Sequence, residues 1–457
     1  MSAMNITNIE KFEVLPSNQP ANNTYSFKSG NPIINFSLGS TNKLLKASSL
    51  RINGELTIFD ANGAIAGNNA LNQSRAGSAG AASNQAVQFN SRIGTNGLLQ
   101  NVNISSNDTK QTLESIRQYG RLCATILPTT HSSEDFLQQS GVVELNTGMN
   151  SATGNLNNNS VHFSMRLFAG MVNGGNTIPL GMNGVRGLDL SLELVSDQML
   201  LFGANAGDGG GGFYQVKNLS LTGDLLVPDA QGQQQLAVPG NGSFEYNSYN
   251  NLYSVIDSND ATQTYNLAQS NVLNVFHNFL PVSFANNYSQ DSFKTDLPKL
   301  TNAAGTTYNS DAIIKKVGFS RGGMKLAIDY DLNPEDQSLN GRPQTGLMIN
   351  AINAVAPIKN ITHTTEQPLL LNFGALDKII YDATGDQVFN TVDAGNRNFA
   401  IGVALDNVSQ VGIDFKGQSY ATRIQSSLDG KSPNSVYTYV LSKNTLQYSP
   451  NGIIVSS

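Results

Sequence analysis

Apolar and polar residues alternate with a period of two along most of the chain, which is the mark of strands with one buried face. In "LRINGELTIF", Leu50, Ile52, Leu56 and Ile58 fall on one side. In "VHFSMRLFAG", Val161, Phe163, Met165 and Leu167 alternate with His162, Ser164 and Arg166. "GLDLSLELV" sets Leu188, Leu190, Leu192 and Leu194 against Asp189, Ser191 and Glu193. Further stripes are Leu326, Ile328, Tyr330 and Leu332, then Val411, Ile413 and Phe415, and "SVYTYVLS" reads as a strand near the end. One apolar face per strand predicts antiparallel sheets packed as sandwiches, an all-β fold.

Breaks in the alternation mark the connections. The glycine run in "AGDGGGGFYQVKNLSLTGDLLVPD" (206–229) precedes a strand in which Tyr214 and Val216 face one way. Leu219, Leu221, Leu225 and Val227 continue in the opposite phase, so an extra residue, a β-bulge, is expected near Lys217–Asn218. A phosphate-binding loop would need a helix and a lysine after the glycines, and neither follows. Helical spacing is scarce. Leu113, Ile116 and Tyr119 after an Asp108 cap predict one helix within 108–122, and "HSSEDFLQQSG" (131–141) predicts a short second one. Residues 60–94 are too polar and small to fold alone. The stretch 228–243 is the candidate linker, near the midpoint. The halves echo each other, residues 44–62 resembling 313–332 in their apolar pair, lysine and glycine break, as a duplicated sandwich would.

Composition narrows the partners. Only 13% of the 457 residues are charged, about half the usual share. The surface is therefore built from Asn, Ser, Thr, Gln and Gly, which suits repeated contact with neighbours. A net charge of −6 and an amino terminus without a basic cluster argue against direct nucleic-acid binding. That terminus is not expected to act as a secretory signal, and no apolar run is long enough to span a membrane.

Candidate chemistry is thin. "GFSRG" (318–322) has the spacing of a nucleophile elbow around Ser320, but the next residues lead into a strand, and His363 is the sole downstream histidine. His131, His162, His277 and His363 show no metal-ligand spacing. The aspartates of 257–263 and 382–387 read as turns rather than calcium loops. Cys123, the single cysteine, excludes an internal disulfide and is expected buried in a helix. No catalytic, cofactor-binding or metal residue is assigned. A β-sandwich hydrolase would require paired acids converging in a groove, which only a structure reveals.

The order of segments adds a resemblance. "SSLRINGELTIF", "RIGTNGLLQNVNISSNDTKQTLESIRQYGRL", "VHFSMRLFAGMVNGGNTIPLGMNGVRGLDLSLELVSDQMLLF" and "FYQVKNLSLTGDLLVP" follow one another as in double jelly-roll major capsid proteins. The chain resembles above all those of polinton-like viruses and virophages, within the tectivirus–adenovirus lineage. Ile178-Pro179-Leu180 ahead of the Leu188–Leu194 strand fits that pattern, and "YNSYNNLYSVI" and "VLNVFHNFLPVSFANNYSQDSF" continue it from about Phe27 to the end. The resemblance implies two tandem eight-stranded antiparallel jelly rolls with a few short helices in loops. It implies an amino-terminal arm (1–25), a first jelly roll (26–229), a linker (230–247) and a second jelly roll (248–457). It further implies a homotrimer with pseudo-hexagonal outline, tiling the icosahedral shell of a double-stranded DNA virus and located in the virion after assembly in the host cell. Partners would be copies of itself, penton and minor capsid proteins, and an internal membrane where one exists. No cofactor and no catalytic residue carry over. A viral receptor-binding or fibre protein is the alternative, although its usual shaft repeat is not found.

Overall fold

The computed structural model describes residues 4–59, 87–89, 93–130, 160–173, 175, 177–181, 185–203, 212–237, 241–288, 292–293, 313–326, 329–331, 380–381, 387–388, 401–405, 411–427, 433–449 and 452–456. In the first half, β1 (Ile6–Val14) and β2 (Thr24–Tyr25) lie along one side of β13 (Phe213–Pro228). Its other side takes β4 (Leu44–Lys46) and β5 (Arg51–Phe59), which are bordered by β10 (Thr177–Pro179) and β9 (Ser160–Met165) respectively. The facing sheet runs β3 (Ile33–Gly39), β11 (Gly187–Leu194), β7 (Leu99–Ser106), β8 (Thr112–Arg117). A separate ribbon pairs β6 (Val87–Phe89) with β12 (Leu201–Gly203).

The second half repeats the plan. One sheet runs β14 (Gly242–Ile256), β24 (Asn434–Ser449), β16 (Val272–Pro281), β22 (Ile401–Ala404), with β25 (Gly452–Ser456) also on β24. The other runs β15 (Asp260–Asn266), β23 (Ser419–Ser427), β17 (Ile313–Arg321), against which β18 (Met324–Lys325) and β19 (Tyr330–Asp331) both pair. β20 (Ile380–Tyr381) and β21 (Gln387–Val388) pair with each other. Among the described residues there are four α-helices, all short: α1 (Tyr119–Thr130), α2 (Gly170–Asn173), α3 (Asp197–Leu200) and α4 (Ala230–Ala237), the last lying between the two halves.

With the main strands of each half counted in chain order, both halves pair as 1-8-3-6 in one sheet and 2-7-4-5 in the other. This is the jelly-roll order, and it occurs twice. The expected internal match is nonetheless corrected. Residues 44–62 contain β5, third in its unit, whereas 313–332 contain β17, fourth in its unit and in the opposite sheet. The counterpart of β5 is β16. A match of apolar pair, lysine and glycine does not record which sheet a strand enters, so it paired the wrong strands.

The phases predicted for β5, β9 and β11 hold. Leu188, Leu190, Leu192 and Leu194 are at most 2% exposed and meet Ile52, Leu56, Ile58 and Leu221 across the first core. Full burial of each such side chain contributes about 1.5–3 kcal/mol. The bulge in β13 falls where the phase slips, between Lys217 and Ser220, with Asn218 at φ 51°. Residues 206–211 lie outside the described residues, and from Gly212 the chain enters β13 without a helix.

Two elements differ from expectation. The helix predicted within 108–122 begins only at Tyr119; Thr112–Arg117 is a strand paired with β7. Its register skips Leu113, and this irregularity produces the Leu113–Ile116 spacing that imitates a helical face. Cys123 does sit buried in α1. Residues 411–415 form no regular strand: Ile413 makes an isolated bridge to Val272, Phe415 is buried, and Val411 is 54% exposed. Ile328, Leu332 and the predicted helix at 131–141 lie outside the described residues.

Candidate functional site at the seam between the sandwiches

Among the described residues, those weighed for chemistry do not converge. Ser320 lies inside β17, its Oγ directed at the Ala421 carbonyl at 3.4 Å. The chain after it reverses through Gly322 and Gly323, at φ 52° and 84°, into β18 rather than into a helix. His162 is exposed on β9 and His277 is buried in β16; His131 and His363 lie outside the described residues. Asp260 is held by Arg423 at 2.8 Å, which keeps its carboxyl low, at about 2. Among the described residues no three His, Cys, Asp or Glu side chains come together as metal ligands.

Inside the second sandwich His277 is fully enclosed. Its Nδ1 lies 2.7 Å from Thr438 Oγ1, and its Nε2 lies 2.9 Å from Tyr420 Oη and 3.0 Å from Thr422 Oγ1. Its ring stacks on Phe319 at 5.5 Å. Burial drives the imidazole down to about 3, so it is neutral and serves as a hydrogen-bonding core residue.

A dense polar constellation lies where the halves meet. The sheet β14-β24-β16-β22 has its inner face on its partner sheet and its outer face on the first half, and all ten residues of β16 are buried. From α1, Arg121 reaches across with no exposed surface. Its Nε donates to Asn278 Oδ1 at 2.9 Å, one terminal nitrogen to the Ser292 carbonyl at 3.0 Å and the other to the Phe279 carbonyl at 2.7 Å. The guanidinium carbon also stands 4.9 Å from the centre of the Tyr437 ring. Asn278 donates in turn to Thr125 Oγ1 at 2.7 Å, and Tyr439 Oη donates to the Gln118 carbonyl at 3.1 Å. Phe276 stacks on Tyr439 and meets Tyr249 edge-on, adding apolar area to the same seam.

A second weld joins β8, α2 and β14. Glu114 accepts the backbone N–H groups of Gly170 and Met171, each at 2.9 Å, and a bond from Ser248. Burial pushes its carboxyl up to about 7 against the pull of these donors. Tyr246 Oη donates to the Leu113 carbonyl. Gly170 is required by close approach, since a methyl group there would overlap the Asn247 carbonyl. A cleft of about 210 Å³ runs beside the seam, lined in part by Gln100, Gln118, Glu193, Ser196, Asn286 and Tyr437. Among the described residues nothing here pairs a nucleophile with a base; the arrangement joins one sandwich to the other.

Sequence reasoning missed Arg121 and Glu114, because neither sits in a motif. One signal was available: "VLNVFHNFLP" is apolar in both phases, as expected of a strand buried on both faces.

No family model matches the chain, and no curated protein sequence matches it. Solved structures do. The PBCV-1 protein VP54, in a structure fitted into a reconstruction of the virophage Sputnik, is 11% identical, with 100% of this chain and 98% of that one covered at a TM-score of 0.57. The Faustovirus major capsid protein is 11% identical, with 98% and 91% covered at 0.55. A chain of the Sputnik virophage is 10% identical, with 100% and 89% covered at 0.54. At such identities the likeness is one of fold, and it spans both sandwiches. The chain is a double jelly roll with the fold of these virus proteins.

Proposed function

We propose that this chain is a major capsid protein that forms homotrimers of pseudo-hexagonal outline and tiles the icosahedral shell of a double-stranded DNA virus. The observation that carries this reading is the repeated 1-8-3-6/2-7-4-5 strand order, welded along one seam, over nearly the whole length of capsid-protein structures. The low charge suits a surface that neighbours cover. On this reading the chain has a non-catalytic role in the virion, with penton and minor capsid proteins as further partners and an internal membrane where the virus has one. The division into an arm (1–25), two jelly rolls (26–229 and 248–457) and a linker (230–247) belongs to the same proposal. Light scattering and negative-stain imaging of the purified chain test it: a trimer with six-cornered outline is expected, and a monomer with an open cleft would overturn it. Genome contact is assigned to other components, because the chain is acidic; tight, salt-sensitive DNA retention by the purified trimer in a filter assay would contradict that.

A further inference from the structure

On the outward face of the first half's larger sheet, one row of residues runs straight across three strands to the residue that follows β9. Glu13 opposes Thr222, Thr222 opposes Arg51, and Arg166 stands opposite Arg51, one step beyond the Ile52–Met165 pair. Ile52 and Met165 point into the core at 1% exposure, so the two arginines project outward, half-buried, Arg51 from the start of β5 and Arg166 from just past the end of β9. Like charges directly opposite one another across a sheet are destabilising. Here burial and the neighbouring Arg51 charge together lower the affinity of the Arg166 guanidinium for its proton. Neither side chain makes an ion pair or hydrogen bond among the described residues. The carboxylates nearby on that face make no ion pair with either arginine among the described residues: Glu13 is exposed two strands away, Asp224 stands opposite Lys11, and Glu55 accepts from Asn218 at 3.1 Å.

We propose that Arg51 and Arg166 form a contact between copies, receiving a carboxylate side chain from a second copy of this chain between their guanidinium groups. The proposal rests on the capsid reading, which supplies the copies. Paired planar forks match an oxyanion through several short charge-assisted bonds. The chain itself has acids to offer, with 33 Asp and Glu against 27 Lys and Arg. An incoming carboxylate would convert a repulsive pair into an attractive triad.

Two double variants of the full chain test this, Arg51→Gln with Arg166→Gln and Arg51→Glu with Arg166→Glu, with assembly followed by light scattering and folding by thermal melts. The neutral variant is expected to dissociate at protein concentrations at least tenfold higher than the wild type. Its isolated subunit should melt no lower, and even slightly higher, because the repulsion is gone. A merely structural pair would not separate these two readouts. The reversed-charge variant should fold without assembling. Assembly of both variants at wild-type concentrations and salt would overturn the contact while leaving the capsid reading intact. Inorganic phosphate that raised the wild-type melting temperature, but not that of the variants, with assembly unchanged, would reassign the pair as a free-anion site. A wild type that remained monomeric would overturn the capsid reading, and this contact with it.

Discussion

The sheet β14-β24-β16-β22 presents two buried faces that solve different problems. Its inner face packs Val275, Phe279, Val436 and Val440 against the partner sheet, with His277 and Thr438 as neutral, hydrogen-bonded members. Its outer face meets the first sandwich with Phe276 stacked on Tyr439 and with Tyr437 beside the cation of Arg121. Aromatic residues and arginine are what protein–protein interfaces enrich, whereas cores favour hydrocarbon. The seam thus has the anatomy of an interface between two partners that happen to share a chain. The same strands, read in alternate residues, carry a core on one side and a docking surface on the other.

Removing the seam's cation should have the largest effect. Arg121→Ala leaves the Asn278 oxygen and two carbonyls without their donor, at a cost of about 3–5 kcal/mol. Denaturant melts would show it, together with faster amide exchange in α1 and β16; a loss below about 1 kcal/mol would mean that the seam is not a weld.

The two faces should also respond oppositely to pH. Glu114 at the seam holds its proton up to about 7 in the folded chain against an ordinary 4.5. Its stabilising contribution is therefore complete below pH 4.5 and is lost as pH rises through 7, by roughly 3 kcal/mol. Glu114→Gln should flatten that limb of a pH–stability curve. His277 inside is held neutral down to about 3 against an ordinary 6.5. Between those values the unfolded chain binds the extra proton, so stability falls as pH drops below 6.5, by roughly 2 kcal/mol at pH 5. His277→Leu should abolish this acid limb. At neutral pH it should cost about 1–3 kcal/mol, because the Tyr420 and Thr438 hydroxyls lose a partner. An unchanged acid limb in that variant would assign the sensitivity to other groups.

The smallest expected effect is that of Tyr439→Phe. It removes one bond to the Gln118 carbonyl while keeping the stack on Phe276, for about 1 kcal/mol in equilibrium unfolding. A cost as large as that of Arg121→Ala would shift the weight of the seam from the cation to this hydroxyl.

Much of the fold was legible because burial acts locally. Leu188 to Leu194 alternate since each residue of a strand faces the side opposite to its neighbour, and the β13 bulge shows as a phase slip because one extra residue inverts every later side chain. The helix expected at 108–122 failed for the same reason in reverse: a skipped residue at Leu113 gave a strand helical spacing. The echo between 44–62 and 313–332 joined the third strand of one unit to the fourth of the other, since alternation does not record which sheet a strand enters.

By itself, the sequence determined that the chain is built from antiparallel strands, since period-two burial and turn chemistry are local properties. Only the tertiary structure decided that Arg121, 157 residues from Asn278, would bond to it, and that Glu114 would meet Gly170 and Ser248. A buried polar group is defined by the partners that surround it, and those partners come from strands whose neighbours are set by the closing of the whole sandwich.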